Sequence, residues 1–235
     1  MSFDICTLKI IALVTMIIDH SAVVFRNEMS GSLYLAMRCV GRLSFPIFCF
    51  VLTEGFFHTR DRRKFFLRLS LFAVLSEIPF DLVLEGTYLD MLTEPSLSAL
   101  MDFSAQNVFF TLAIGFMAMC FMERFKSDPL AFPAVFILAP VLGEVIRCDY
   151  GGMGVMAILL FYLGKKYGKF AEVWGFLPLL FLGLRSKTQP LCIFALPLLL
   201  LYNGKRGKNL KFFFYAAYPL HLLILLAIKL LHQMG

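Results

Sequence analysis

The chain has 235 residues, 60% of them hydrophobic and only 16% charged, with 27 Phe against a single Trp and a formal net charge of +6. No soluble domain of this length keeps that much apolar surface from water, whereas lipid-facing helices require it. Composition therefore excludes a soluble fold and indicates an all-α, polytopic helical membrane protein. The basic residues are divided among short loops with no recognition motif beside them, which argues against nucleic acid as a partner.

Apolar runs broken by polar or Gly/Pro-marked stretches predict about nine membrane segments, with eight or ten as the alternatives. In chain order they lie near 7–25, 38–57, 65–84, 104–122, 130–147, 150–163, 171–184, 190–202 and 211–231. The first lacks a basic region before a cleavage site and is expected to be a retained span. Several later segments are too short for straight crossings and are expected to be tilted, broken or re-entrant. The six cysteines show no paired metal-type spacing and sit mostly in apolar runs, so buried thiols are expected, with no metal or disulfide framework.

Loop charge sets the direction. Arg60, Arg62, Arg63 and Lys64 follow segment 2; Arg124 and Lys126 follow segment 4; Lys165, Lys166 and Lys169 follow segment 6; Lys205, Arg206, Lys208 and Lys211 follow segment 8. The intervening loops are poor in Lys and Arg. The positive-inside rule then puts the N-terminus in the cytoplasm and, for nine segments, the C-terminus outside.

With that orientation, intramembrane polar groups gather in the outer half. Asp19 and His20 lie near the outer end of segment 1, Arg38 and Arg42 lead in segment 2, Glu77 and Asp81 end segment 3, and Gln106 and Asn107 open segment 4. Asp149 and Tyr150 occupy the next outer turn. Arg38 and Arg42 share a helix face, as do Glu77 and Asp81, so pairing across helices is the plain structural reading; two carboxylates on one face also suit a proton acceptor. Asp19 is one step from His20 and diverges from it by roughly a hundred degrees, which leaves Glu77 or Asp81 as an equally good orienting partner. Lys9 lies on the His20 stripe, about 16 Å toward the cytoplasm, so one elongated ligand can touch both. Glu54 and His58, with the basic cluster from Arg60 and the 203–208 loop, offer cations to a polyanion at the inner side. The glycines at 151–154 read as close helix packing, and Tyr218-Pro219-Leu220-His221 places a second histidine beside a probable kink.

These residues resemble the TraX family, named for the pilin-acetylating protein of conjugative plasmids. The motifs that carry the resemblance are LKIIALVTMIIDH (8–20), RCVGRLSFPIFCFVLTEGFFHTR (38–60), LSEIPFDL (75–82), QNVFFTL (106–112), DYGGMGV (149–155), LYNGKRG (201–207) and FFFYAAYPLHLL (212–223). The family is similar to a wider group of transmembrane acyltransferases that move an acyl group, commonly acetyl, from cytoplasmic acyl-CoA to an acceptor across the membrane. The resemblance implies one integral-membrane acyltransferase domain over 1–235, in a bacterial cytoplasmic membrane. Acetyl-CoA is then the donor, membrane lipids surround the protein, and an envelope pilin, glycan or small molecule is the acceptor.

His20 matches the group's catalytic histidine. On this reading Lys9, His58, Arg60, Arg62, Lys205 and Arg206 hold CoA. Arg42 and Asn107 stabilise the oxyanion, Glu77 or Asp81 orients His20 or balances its charge, and Asp19 is a further catalytic candidate. Two other readings use the same residues: a small proton-coupled transporter relaying protons through Asp19, His20, Glu77 and Asp81, and a structural subunit held together by its charges.

Overall fold

A computed structural model describes residues 2–87, 104–168, 171–184 and 186–234, and the described chain is helical apart from two isolated backbone bridges. The helices are α1 (Ile5–Val24), α2 (Gly31–Gly41), α3 (Ser44–His58), α4 (Arg62–Phe80), α5 (Val108–Arg124), α6 (Ala131–Val145), α7 (Gly151–Tyr167), α8 (Ala171–Trp174), α9 (Phe176–Phe181), α10 (Leu196–Leu200) and α11 (Lys211–Met234). A π-helical turn at Asp81–Glu85 extends α4, and 3-10 turns lie at Leu182–Leu184 and Gln189–Ala195.

Side-chain caps start several of these helices. Asp4 accepts from the Thr7 N–H at 2.7 Å, Asp61 from Lys64 at 2.9 Å, Asn107 from Phe109 at 3.0 Å and Asp128 from Ala131 at 2.8 Å. Each satisfies a donor that the first turn leaves open. Ser30 caps α2 in the same way, so helix already begins at Gly31. The expected start of segment 2 at residue 38 is thus too late. Hydropathy penalises Arg38 and Arg42, but both pair with Asp19, so Arg38 is carried inside α2 and Arg42 caps its end just before α3.

Among the described residues, three helical stretches are long and apolar enough to cross a membrane: Ile5–Val24, Gly31–His58 and Lys211–Gln233. This is fewer than the nine expected. Helix α4 is long enough but carries Arg62, Arg63, Lys64, Arg68 and Glu77, while α5 and α7 have 17 residues and α6 has 15. Segments 7 and 8 are broken into short α and 3-10 pieces. The outward faces are nevertheless apolar: Val74, Ile137, Leu138, Val145, Ile224 and Leu231 are all exposed. An apolar exterior of this extent belongs in lipid, and the protein is a membrane protein.

Helices α1 and α11 run parallel. At one end Lys9 Nζ lies 5.3 Å from the centre of the Phe214 ring, and at the other the Lys229 ammonium donates to Val24 O at 3.0 Å. The Lys9 end also holds the N-terminal stretch against the 201–205 loop, through Phe3 N–H to Leu201 O at 2.8 Å and Ile5 N–H to Lys205 O at 3.0 Å. Near the opposite end, the stretch before α5 pairs with the α6–α7 turn: Gln106 N–H donates to Arg147 O at 2.9 Å and Asp149 N–H to Gln106 O at 2.8 Å. The core between the ends is rich in phenylalanine, with Phe45, Phe56, Phe116, Phe161 and Phe176 fully buried. All six cysteines are free thiols. The glycine run at the start of α7 is a packing contact, since a side chain at Gly152 would meet the Pro140 carbonyl.

Candidate active site

Two cavities lie along one face of α1. The larger, about 720 Å³, surrounds Lys9; the smaller, about 180 Å³, contains Asp19 and His20. Met16, Phe48, Val108 and Tyr218 line both, so the cavities adjoin through a throat of these side chains.

The larger cavity is cationic at its rim and apolar toward the throat. His58, Arg60, Lys64, Arg68, Arg206, Lys208 and Lys211 join Lys9 around it, with Leu13, Leu52, Phe109 and Leu112 deeper in. Arg68 is held over the Phe65 ring, and its buried Nε has no hydrogen-bond partner among the described residues. A guanidinium N–H left without an acceptor beside a cavity is a standing demand for an anion. Glu54 at this end is committed elsewhere: it pairs with Lys165 and accepts from the Tyr202 hydroxyl at 3.2 Å.

The smaller cavity is built on an ion-pair cluster. Asp19 accepts from Arg38 Nη1 at 2.6 Å and from Arg42 Nη2 at 2.8 Å to each oxygen. Arg42 also donates from Nη1 to Gln189 Oε1 at 3.1 Å and from Nε to Arg38 O at 3.2 Å. Helices α1 and α2 approach closely enough for this because residue 41 is glycine; any β-carbon there would overlap the Asp19 side chain. Asp19 therefore positions two guanidinium groups at the cavity wall. Tyr150 stacks on Phe45 with ring centres 3.6 Å apart, and Asp149 opens onto the cavity from the α6–α7 turn. Asp149 is itself exposed at the cavity, yet desolvation by the surrounding protein pushes its carboxyl up to about 6, against the pull of Arg42.

His20 meets His221 of α11. Its Nδ1 lies 2.7 Å from His221 Nε2, and His221 Nδ1 lies 2.9 Å from the Ala217 carbonyl. Tyr218 packs edge-on against both rings. The arrangement offers an imidazole at the wall of a polar recess, guanidinium groups beside it, and a cationic vestibule at the far end of the same helix face.

The TraX protein family matches residues 5–229. The chain belongs to the TraX family. It is also 31% identical over 249 aligned residues to the probable fimbrial assembly protein FimC, serogroup H1, of Dichelobacter nodosus, covering 98% of each chain. No solved structure matches it.

The remaining expected residues of this TraX chain divide sharply. Glu77, Asp81 and Asn107 line neither cavity. Asn107 caps α5, and its Nδ2 donates to the Ala73 carbonyl at 2.8 Å and to the Glu77 carboxylate. Its amide thus lies inside the α4–α5 contact, away from both cavities. It is α11, through His221, that brings a ring nitrogen to His20. Asp19 bonds Arg38 and Arg42, whereas Glu77 bonds Asn107, so these two carboxylates sit in different hydrogen-bonded groups.

At the cationic end, Lys9, His58, Arg60 and Arg206 line the cavity as placed from sequence, whereas Arg62 and Lys205 do not. Arg62 stacks on the Phe56 ring at 4.0 Å, and the Lys205 backbone anchors the 203–205 turn, with its N–H donating to Asn203 Oδ1 at 2.9 Å. Arg68, Lys208 and Lys211 were not among the chosen cofactor residues. Arg68 lies on the α4 face reached one and a half turns beyond the basic loop, and helical periodicity from Lys64 was the available signal. His221 carries its own signal, a histidine two residues after a proline in an apolar segment, but nothing in sequence pairs it with His20 across 201 positions.

Proposed function

We propose that this protein is an integral-membrane acyltransferase that carries an acetyl group from cytoplasmic acetyl-CoA to an amine or hydroxyl acceptor at the opposite membrane face, with His20 as general base. The observation that carries this reading is the pair of adjoining cavities along α1. A dinucleotide-like polyanion is matched by the basic rim of the larger one, where Arg68 Nε still lacks an acceptor. A thin, neutral pantetheine arm fits the apolar passage between Lys9 and the throat. The thioester then arrives beside His20, Arg38 and Arg42, from which guanidinium groups can favour the developing oxyanion.

The membrane arrangement behind this reading is about nine crossings, two of them broken, with the N-terminus inside. Parallel α1 and α11 agree with an odd number of crossings, and the basic loops collect at the Lys9 end. A bacterial cytoplasmic membrane is the setting in which acetyl-CoA and an envelope acceptor are separated in this way. The relative's name, a probable fimbrial assembly protein, and membership of the TraX family favour a pilin or other surface-fibre subunit as acceptor, with an envelope glycan as the other choice.

In the transfer, the acceptor nucleophile attacks the thioester carbonyl, the new C–N or C–O bond forms, the C–S bond breaks, and the acceptor's proton passes through His20 to the departing sulfur. The test is release of free CoA from acetyl-CoA in proteoliposomes supplied with candidate acceptors. His20→Ala is expected to lower the rate by about 10²- to 10⁴-fold while circular dichroism and size exclusion stay unchanged. Wild-type protein that neither binds nor consumes acetyl-CoA with any acceptor would sink the reading.

A further inference from the structure

We propose that His221 is a positioning residue that fixes His20 in the tautomer with a bare Nε2 and shares its proton during turnover. This deepens the acyltransferase reading and rests on it for its catalytic consequence. The assignment follows from what each atom is able to do. A backbone carbonyl only accepts, so the 2.9 Å contact between His221 Nδ1 and Ala217 O requires the hydrogen on His221 Nδ1. Neutral His221 then has a lone pair on Nε2, and the 2.7 Å contact to His20 Nδ1 requires the hydrogen on His20 Nδ1. His20 is left with an unprotonated Nε2, which takes no hydrogen bond among the described residues, on a ring that lines the outer cavity. The opposite tautomers would set two lone pairs, His221 Nδ1 and Ala217 O, against each other at hydrogen-bonding distance.

One carbonyl of α11 thereby decides, through two imidazoles, which nitrogen of α1 is the base. The logic is that of a carboxylate behind a catalytic histidine, with a neutral ring in the carboxylate's place. As the acceptor attacks, its proton goes to His20 Nε2. The His20 Nδ1 hydrogen moves toward His221 Nε2, so the positive charge spreads over two rings; when the thiolate leaves, the proton at Nε2 goes to sulfur and both rings return to neutral. No proton is lost or gained by the pair over a cycle. Arg38 on α2 and Arg42 just after it face the pair, and Asp19 counters their charge. Asp19 from α1, Asp149 and Tyr150 from the α6–α7 turn, Glu85 from the π turn and Tyr218 from α11 complete the ionisable surroundings.

The tautomer is measured directly by 15N NMR of histidine-labelled protein in nanodiscs at neutral to mildly alkaline pH. The chain has four histidines, and the two signals of interest are assigned from their loss in His20→Gln and His221→Gln. The proposal expects His20 Nδ1 as the hydrogen-bearing nitrogen and His20 Nε2 as the bare one. A hydrogen on His20 Nε2 would overturn it, whatever the protein's activity. In turnover, His221→Ala is expected to lower kcat by about 10- to 100-fold with the KM for acetyl-CoA unchanged. His221→Gln, which keeps an acceptor and a donor on one side chain, is expected to recover part of the loss and to move the acidic limb of kcat against pH. A folded His221→Ala protein at the wild-type rate, with that limb unmoved, also overturns the proposal. Failure of the wild type to release CoA would instead defeat the acyltransferase reading, and the NMR assignment would still decide the tautomer.

Discussion

Asp19 accepts three hydrogen bonds from two guanidinium groups in a site that water barely reaches, and a cluster of this kind tolerates half-removal badly. Deleting the carboxylate leaves Arg38 and Arg42 as uncompensated charges below a lipid-facing surface. Asp19→Ala is therefore expected to destabilise the protein by about 3–5 kcal/mol, read as a loss of thermal stability in detergent micelles. A variant as stable as wild type would show that the arginines find water or other acceptors. The sequence brings Asp19, Arg38, Arg42, Glu77 and Asp81 to one expected depth; in the fold Asp19 meets Arg38 and Arg42, while Glu77 meets Asn107. Which acid meets which base was not legible, because it depends on the closeness of α1 and α2, and that closeness depends on the missing β-carbon at Gly41. A pattern of charges along a chain carries depth and helix face; it carries no distance between helices.

The turn between α6 and α7 shows the same limit at the level of an element. Sequence placed Asp149 in an outer loop, where a carboxylate would normally be fully solvated and unremarkable. The fold instead pins the turn to Gln106 and Arg147 by backbone bonds and points Asp149 at the His20 cavity. Desolvation by the protein around it raises its carboxyl from 3.8 to about 6, with Asp19 and Glu85 adding to the rise, Arg42 and Arg38 opposing it, and solvent at this exposed residue damping the effect. The folded chain thus keeps a proton between about pH 4 and pH 6 that the unfolded chain has released. Stability is expected to fall as pH rises through that window and to level off above it. Asp149→Asn should abolish this slope in thermal-unfolding midpoints recorded from pH 4 to 7; an unchanged slope would assign it to another group. Helices themselves were far more legible. Their apolar runs and their Asp, Asn and Ser caps are local signals, and each of the nine expected segments contains helix. The exceptions are instructive: α2 begins earlier than hydropathy suggests, and segments 7 and 8 break because their prolines and short apolar runs leave no room for uninterrupted turns.

At the scale of the whole molecule, the parallel course of α1 and α11 is the strongest constraint on topology. Two parallel spans at the beginning and end of a chain require an odd number of crossings between their first residues and their last. The short, broken segments supply the parity. Gln189 meets Arg42 at the His20 end, while Tyr202 meets Glu54 at the Lys9 end, so the stretch from 189 to 202 travels the depth of the bundle despite having no long helix. A hydropathy count that discarded it would reverse the direction of α11 and separate His221 from His20. Impermeant maleimide labelling of single cysteines, in a background with the six native cysteines replaced by alanine, tests this directly. In spheroplasts, Asn27→Cys and Lys187→Cys are expected to label from outside, and Lys126→Cys and Lys208→Cys only after lysis. Labelling of positions 187 and 208 from the same side would remove the crossing between them. It would also remove the geometry that the proposed meeting of a cytoplasmic donor and an external acceptor at His20 requires.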